Sequence, residues 1–244
     1  MLTLLTPSLR PLCRRLFRRA RSLRRSQSGL AMVEFAVSLP VLLGLGLVGL
    51  ETANYALAHL RISNIAATVA DNAARVRDSI DEGDVTELLI GGLMTGRTID
   101  FEANGRIILS SLEPTPDGTK QWIRWQRCDG DFARTSSFGR PLQANGTAIT
   151  NGTEIYQTDR TTPSTTPSSP TASTMTAMGV AGKQIAAQAG TAVMVVEVVY
   201  RYQPLMANSL LSGTELHYLS AFNVRQRTNQ SITNGGRSTP AMCS

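Results

Sequence analysis

The chain is short of the residues on which most catalytic and metal sites depend. Among its 244 residues are two histidines and three cysteines, and aromatic residues make up only 5%. It contains no G-x-S-x-G elbow, phosphate-binding loop or metal-ligand motif. His59 and His217, together with the distant Cys128 and Cys243, do not form a metal-ligand set. These absences argue against an enzyme, a cofactor and a metal site, and the low aromatic content predicts a modest core.

Acidic residues are missing from the first 28 positions. That segment holds eight arginines, whereas the rest of the chain holds 16 basic and 18 acidic side chains, a net charge of −2. The overall charge of +6 therefore belongs to the start of the chain. An arginine-rich arm can bind nucleic acid, but beside an apolar run it marks the cytoplasmic side of a membrane segment. We therefore expect a membrane partner and no nucleic acid.

An apolar run of 21 residues, from Leu30 to Leu50, follows the arginines. As a helix it would be about 31 Å long, enough to cross the hydrocarbon core of a bilayer. The arginines place its beginning in the cytoplasm and residues 51–244 outside. In a bacterium this predicts a single-pass inner-membrane protein with a domain in the periplasm or at the cell surface. Pro40 lies within the run and predicts a kink, because it removes one helix hydrogen bond.

Glu34 is the only charged residue between Arg25 and Glu51, and it is the fifth residue after Gly29. A carboxylate within an apolar span is costly, so by default it indicates a functional site. A less specific interpretation is that this carboxylate, near one end of the span, reaches the membrane interface at little cost.

The start of the apolar helix carries a family pattern: Gly29, then Glu34 with Phe35, then Leu39 with Pro40. This pattern resembles the TadE-like family, the minor pseudopilins of tight-adherence (Flp) pilus systems. Three departures from the major pilins of such systems are the long basic leader, phenylalanine where they usually have tyrosine, and the greater length of this chain. These departures favour a minor pseudopilin or assembly component over the fibre subunit.

A second, weaker resemblance lies near the C-terminus. Residues 195–205, a valine-rich stretch that ends in tyrosines and a proline-leucine pair, and the later region around Arg225 are similar to the C-terminal part of TadE-like proteins.

The resemblance implies roles for individual residues. Cleavage after Gly29 would leave Leu30 as the new N-terminus, with Gly29, Leu30 and Glu34 acting in processing. Glu34, Phe35 and Pro40 would act in assembly through the membrane helix, with the glutamate pairing with the new terminal amine of a neighbouring subunit. The implied partners are a prepilin peptidase, the inner-membrane assembly platform and other pseudopilins, with no cofactor.

Two other fates of the N-terminal segment stay open. It could be an uncleaved signal anchor, or an ordinary secretory signal cleaved after Ala58, because residues 56–58 have the small-x-small form. Against the secretory signal stand Glu34, the long basic region and an apolar run longer than the usual stretch of about 7–15 residues. The function has an alternative too: a single-pass anchored envelope protein whose head binds a ligand or partner unrelated to pili.

Beyond the span the sequence predicts an α+β fold, with a long N-terminal helix and a small, mainly antiparallel sheet. Apolar residues recur at three- and four-residue gaps from Tyr55 to Ile80, which predicts that the membrane helix continues as an amphipathic stem. We expect a break at 81–84 and a shorter helix at 85–94. The predicted organisation is a basic leader (1–29), a transmembrane helix (30–50), a helical stem (51–95) and a β-rich domain (96–244).

Strand-forming residues recur in the β-rich domain. They predict strands at 99–101, 106–109, 121–127, 191–202 and 215–224, with a turn at 114–118 and a loop or short helix at 204–211. In the 191–202 strand, Val193, Val195 and Glu197 share one face, and the alternate residues, all apolar from Met194 to Tyr200, share the other, so both faces are expected to be partly buried. Residues 158–176, rich in serine, threonine and proline, predict a flexible loop.

The cysteines divide between compartments under this topology. Cys13 lies in the cytoplasmic leader and should stay reduced. Cys128 and Cys243 lie in the exported part, where disulfides form. No other pair within the exported chain exists, which favours a disulfide between them over two free thiols.

Overall fold

A computed structural model describes residues 29–115, 118–141, 174–206, 211–234 and 238–243. The chain divides into two compact units, with the boundary between Thr52 and Ala53. The basic leader up to residue 28 and most of the predicted flexible loop, 158–173, lie outside the described residues.

The first helix, α1, runs from Leu30 to Arg75 and passes through Pro40 without ending. The expectation that the helix of the apolar run continues beyond Leu50 is therefore confirmed. The helix ends at Arg75, short of the end of the predicted stripe, and Asp78 in the following segment adopts a left-handed backbone with φ 55°. Ile80 then begins a short strand, β1 (Ile80–Asp81), rather than closing the helix.

The acidic segment at 81–84, predicted as a break, is the start of helix α2 (Glu82–Thr95). The Asp81 carboxylate accepts the backbone N–H of Asp84 at 2.9 Å, and the Asp84 carboxylate accepts that of Asp81 at 3.1 Å. This reciprocal capping box satisfies two N–H groups that the first turn of a helix leaves without partners.

The strand predicted at 99–101 is wrong. Arg97–Ile99 forms a 3-10 turn and Phe101–Asn104 forms the short helix α3, with Asp100 between them at φ 50°. The Phe101 ring is fully buried and stacks on Tyr200 with the ring centroids 5.8 Å apart. Packing against the sheet therefore outweighs the local preference for an extended chain.

Eight more strands follow these helices along the described part of the chain. They are β2 (Gly105–Pro114), β3 (Gln121–Asp129), β4 (Thr174–Met175), β5 (Met178–Val180), β6 (Lys183–Ile185), β7 (Val193–Arg201), β8 (Glu215–Asn223) and β9 (Ile232–Thr233). Five of them form one antiparallel sheet in the order β4-β3-β2-β7-β8, while β5 pairs with β6 and β9 pairs in parallel with β1.

The predicted α+β fold is confirmed, as are the strands predicted at 106–109, 121–127, 191–202 and 215–224. Two details differ. Thr174–Met175, predicted as the end of the flexible loop, forms β4, and the strand predicted last is followed by β9. For the predicted turn at 114–118, the Gly118 N–H donates to the Thr115 carbonyl at 2.8 Å, and residues 116–117 lie outside the described part.

Both faces of β7 are buried, as its alternation predicts. Met194, Val196, Val198 and Tyr200 join the larger core, which also contains residues of α1 and α2. Val193 and Val195 join a smaller cluster with Met178 of β5. The packing of α2 is close: a Cβ on Gly92 would lie 2.6 Å from the Ile107 side chain and 2.8 Å from that of Val69. Any larger residue at position 92 would force these side chains to shift.

The C-terminal segment contacts both α1 and β3. The Arg225 N–H donates to the Ala74 carbonyl at 3.2 Å, so the segment covers a backbone acceptor at the last turn of α1. Farther along, the chain reaches β3, where the Cys128 N–H donates to the Ala241 carbonyl at 2.9 Å. Cys128 and Cys243 form a disulfide with their Cα atoms 4.9 Å apart.

A buried ion pair joins α2 to β3 beside the disulfide. The side chains of Arg127 and Glu82 are 0% and 1% exposed. Arg127 Nε donates to both carboxylate oxygens of Glu82, at 2.8 and 3.1 Å, and Nη2 donates to Oε1. Nη1 donates to the Gln126 carbonyl at 2.9 Å. A bidentate arginine–carboxylate contact of this kind fixes geometry as well as charge.

We call the compact unit Ala53–Ser244 the exposed domain. We predict that removing the disulfide destabilises this domain by about 4–5 kcal/mol, because the bond closes a loop of 115 residues in the unfolded chain. The measurement is the free energy of unfolding in urea of the full chain in detergent micelles, followed by tryptophan fluorescence, for a variant with both cysteines changed to serine. A reductant should destabilise the natural chain alike and leave the serine variant unchanged. No response of the natural chain to reduction would contradict the pairing.

We predict that Arg127→Met destabilises the domain by about 3–5 kcal/mol, because it leaves the Glu82 carboxylate buried without its counter-charge. Adding Glu82→Leu should restore most of that loss, since an apolar pair of similar volume replaces a buried ion pair at little cost. Urea unfolding of the two single variants and the double variant measures the coupling. Strictly additive losses would show that the two side chains do not act as a pair.

Candidate functional site

The predicted processing residues lie at the beginning of α1. Gly29 precedes the helix directly, and a Cβ placed on it would meet no atom within 4 Å. Leu30, the first helical residue, is 67% exposed. Gly29 and Leu30 are thus both exposed at the start of the described part of the chain.

The Glu34 carboxylate lies in the same exposed region. Helix geometry places Leu30 and Glu34 one turn apart on one face, so a single neighbouring group can approach both. Glu34 has no hydrogen-bond or ion-pair partner among the described residues. The structure thus brings Leu30 and Glu34 together on one face of α1.

Other polar groups of the apolar run bond to their own helix. Ser38 Oγ donates to the Phe35 carbonyl at 3.2 Å, and Thr52 Oγ1 donates to the Val48 carbonyl at 2.8 Å. Such back-bonding lets a hydroxyl enter an apolar environment at low cost. Glu34 differs from both hydroxyl groups, because its carboxylate has no hydrogen-bond or ion-pair partner within the helix.

The side chains around this run face outward. Helix α1 is long and apolar enough to cross a membrane, and none of its most apolar stretch is buried within the protein. Phe35 is 62% exposed. A helix in the core of a soluble protein would be covered, whereas this surface needs lipid or other helices around it. Gly44, Gly46 and Gly49 leave open space where a neighbouring helix could approach closely.

The exposed domain holds a second cluster, built around a buried carboxylate that sequence analysis placed on β7 without assigning it a role. Glu197 accepts hydrogen bonds from His217 Nε2 at 2.8 Å, from Ser136 Oγ at 2.8 Å and from the Ser137 backbone N–H at 3.0 and 3.1 Å. The carboxylate therefore attaches the loop after β3 to β7 and β8.

Burial alone would raise the pKa of Glu197, but the hydrogen bonds from His217, Ser137 and Ser136 outweigh it, so the pKa is lowered. The carboxylate is thus held in its charged form. Because the glutamate lies between the serine and the histidine, the serine hydroxyl donates to a carboxylate and not to an imidazole. This order differs from the serine–histidine–acid relay of hydrolases, and the cluster acts as an attachment point.

Glu197 and the capping box of α2 each left a signal in the sequence. Glu197 is a single charge within an otherwise apolar strand, which marks a carboxylate with dedicated partners. Asp81 and Asp84 have the spacing of a capping box, which places the start of α2. The partner of Glu82, 45 residues along the chain, left no signal, because the contact depends on the tertiary fold.

We predict that Glu197→Gln lowers the free energy of unfolding at neutral pH and flattens its dependence on pH below 5. A lowered folded-state pKa contributes stability above the unfolded value of about 4.5, and that contribution is lost as the pH falls through the folded value. Urea unfolding at pH 7 and pH 3 measures both effects. Glu102→Gln, at an exposed acid on α3, is the control and should leave the profile unchanged. A natural profile in the Glu197 variant would contradict the assignment.

Comparison with known proteins identifies only the helical part of the chain. A family model described as TadE-like protein matches residues 29–75. No curated protein and no solved structure matches. The matched segment begins at Gly29 and ends at Arg75, the last residue of α1, so the weaker resemblance at 195–205 lies outside it. The resemblance drawn from the sequence is thus confirmed over α1: residues 29–75 of this chain are similar to the TadE-like family, which suggests a function associated with Tad/Flp pili.

Proposed function

We propose that this protein is a membrane-anchored, minor pseudopilin-like component of a Flp/Tad-type pilus assembly or secretion system. The observation that carries the proposal is the exposed Gly29–Glu34 segment at the start of an apolar helix, inside the TadE-like match. The protein acts by helix packing and assembly with other proteins rather than by catalysis.

Processing prepares the helix for assembly. A prepilin peptidase cuts after Gly29 and removes the basic leader, and α1 stays as the anchor with a charged amine on Leu30. In a medium of low dielectric constant this amine attracts a carboxylate far more strongly than it would in water. The Glu34 carboxylate of an adjacent pseudopilin, which has no partner within its own helix, is the matching group. The pairing sets the register between neighbouring helices.

The proposed topology follows from charge and redox chemistry. The eight arginines of residues 1–28 keep the N-terminus in the cytoplasm, so the domain after the span faces the periplasm. The disulfide between Cys128 and Cys243 supports export, because such bonds persist in oxidising compartments. The inner-membrane assembly platform and other pseudopilins are the partners that meet a helix in this position.

One alternative is favoured by the extent of the family match. The β-rich domain lies outside residues 29–75, so its role is independent of the TadE-like assignment. Under this alternative the protein is a single-pass anchored envelope protein whose head binds a ligand or partner unrelated to pili. It then keeps its leader, and Glu34→Ala has no effect on pili.

We predict that the protein recovered from its native envelope begins at Leu30. Intact mass and N-terminal sequencing measure this directly. A protein that begins at His59 would be a secreted soluble domain without its anchor, and one that keeps Met1 would favour the anchored envelope protein.

A second experiment tests the role of Glu34 in assembly. Glu34→Ala should remain in the membrane but abolish surface pili, counted by electron microscopy in a strain that lacks the natural copy. Ser38→Ala is the matched control, one turn along, because its hydroxyl bonds only to the Phe35 carbonyl. Normal piliation with Glu34→Ala would contradict a role of this carboxylate in subunit register.

A further inference from the structure

A groove of about 430 Å³ runs between α1 and α2 on the exposed domain. Val69 of α1 and Leu88 and Gly92 of α2 provide its apolar floor. Thr68 and Asn72 line the α1 side with exposed polar groups. A surface of two adjacent helices with an apolar floor between polar edges has the shape that accepts a third helix.

No packing contact among the described residues explains Gly91. It lies in the interior of α2, where glycine is less favourable than alanine because it loses more backbone freedom on folding. Its neighbour Gly92 is required by contacts with Ile107 and Val69, but a Cβ on Gly91 would meet no atom within 4 Å. Gly91 lines the groove, so the missing side chain leaves the backbone of α2 open to close approach from outside.

The α2 side of the groove is acidic. Asp84 and Glu87 line it, and the exposed Glu87 has no hydrogen-bond or ion-pair partner among the described residues. Arg75, at the end of α1, and Arg225 both pair with Asp71, at 2.6 and 2.9 Å, and neither forms an ion pair with Glu87 in the described part of the chain. Negative charge beside an apolar floor is complementary to a partner that carries lysine or arginine next to an apolar stripe.

We infer that the groove between α1 and α2 docks an amphipathic helix of a partner protein, with basic residues beside its apolar stripe and its closest approach at Gly91. Small residues allow two helix backbones to come close and increase the packed area between them. The acidic side fixes the orientation of the incoming helix and favours basic partners over acidic ones. The inference uses only the exposed domain and does not depend on the pilus assignment.

The test uses the full chain in nanodiscs of zwitterionic phosphatidylcholine. The probe is a fluorescent synthetic helix with leucine on one face and lysine on the other, and its binding is measured by anisotropy. A second probe carries glutamate in place of lysine. We expect the lysine probe to bind the natural chain at least about tenfold more tightly than the glutamate probe.

Three variants locate the contact. Gly91→Leu fills the groove and should weaken the lysine probe at least about tenfold. Its melting temperature should be unchanged or raised, because the added side chain enters open space. Glu87→Gln should weaken the same probe without a change in melting temperature and reduce the salt dependence of binding. Glu102→Gln, an exposed acid on α3 away from the groove, should bind like the natural chain.

Several results would overturn the inference. One is no measurable binding of the lysine probe to the natural chain, and another is equal binding with Gly91→Leu and Glu87→Gln. A third is self-association of the natural chain, seen by sedimentation, that Gly91→Leu abolishes, because the groove would then hold a second copy of this chain. Should Gly91→Leu lower the melting temperature, the Glu87→Gln result decides alone.

Discussion

Covering the apolar surface of α1 is the requirement on which the rest of the structure depends. The helix is 46 residues long. Within the exposed domain its apolar stripe is buried against the sheet, where Ile62, Ile65 and Val69 are almost fully excluded from solvent. In the other unit the apolar side chains are exposed on all sides. One continuous helix therefore carries two kinds of surface, and only one of them is covered by the protein itself.

The periodic spacing of apolar residues predicted those helices and strands whose position in the core determines their conformation. The alternation in β7 predicted a strand buried on both faces. The recurring apolar positions from Tyr55 onward predicted a helix that continues beyond the apolar run. The structure contains both. The secondary-structure prediction was wrong where single polar or aromatic residues determine the backbone conformation. Asp78 and Asp100 adopt left-handed conformations that end or redirect an element, and Phe101 turns inward to Tyr200. Window-based patterns average over such single residues.

The buried polar groups mark the places where peripheral segments join the core. Glu82 joins the start of α2 to β3 through Arg127, and Glu197 holds the loop after β3 against the sheet. Charged groups of this kind require specific partners in specific positions, so they restrict how the segments around them pack. The candidate processing site differs in its physics. Gly29 and Glu34 were identified from the sequence because their significance lies in spacing along one helix, and no tertiary contact is needed to recognise it.

The disulfide also has a mechanical consequence. Cys128 and Cys243 are separated by 115 positions, and the covalent bond closes that whole length into a loop. When the protein is stretched between its ends, tension crosses from β3 to the C-terminal segment through the bond, and the residues enclosed by it cannot lengthen the chain. The strands β7 and β8 lie inside that loop. A domain anchored through α1 can therefore unfold under a pulling force while the residues between Cys128 and Cys243 add nothing to the extended length of the chain.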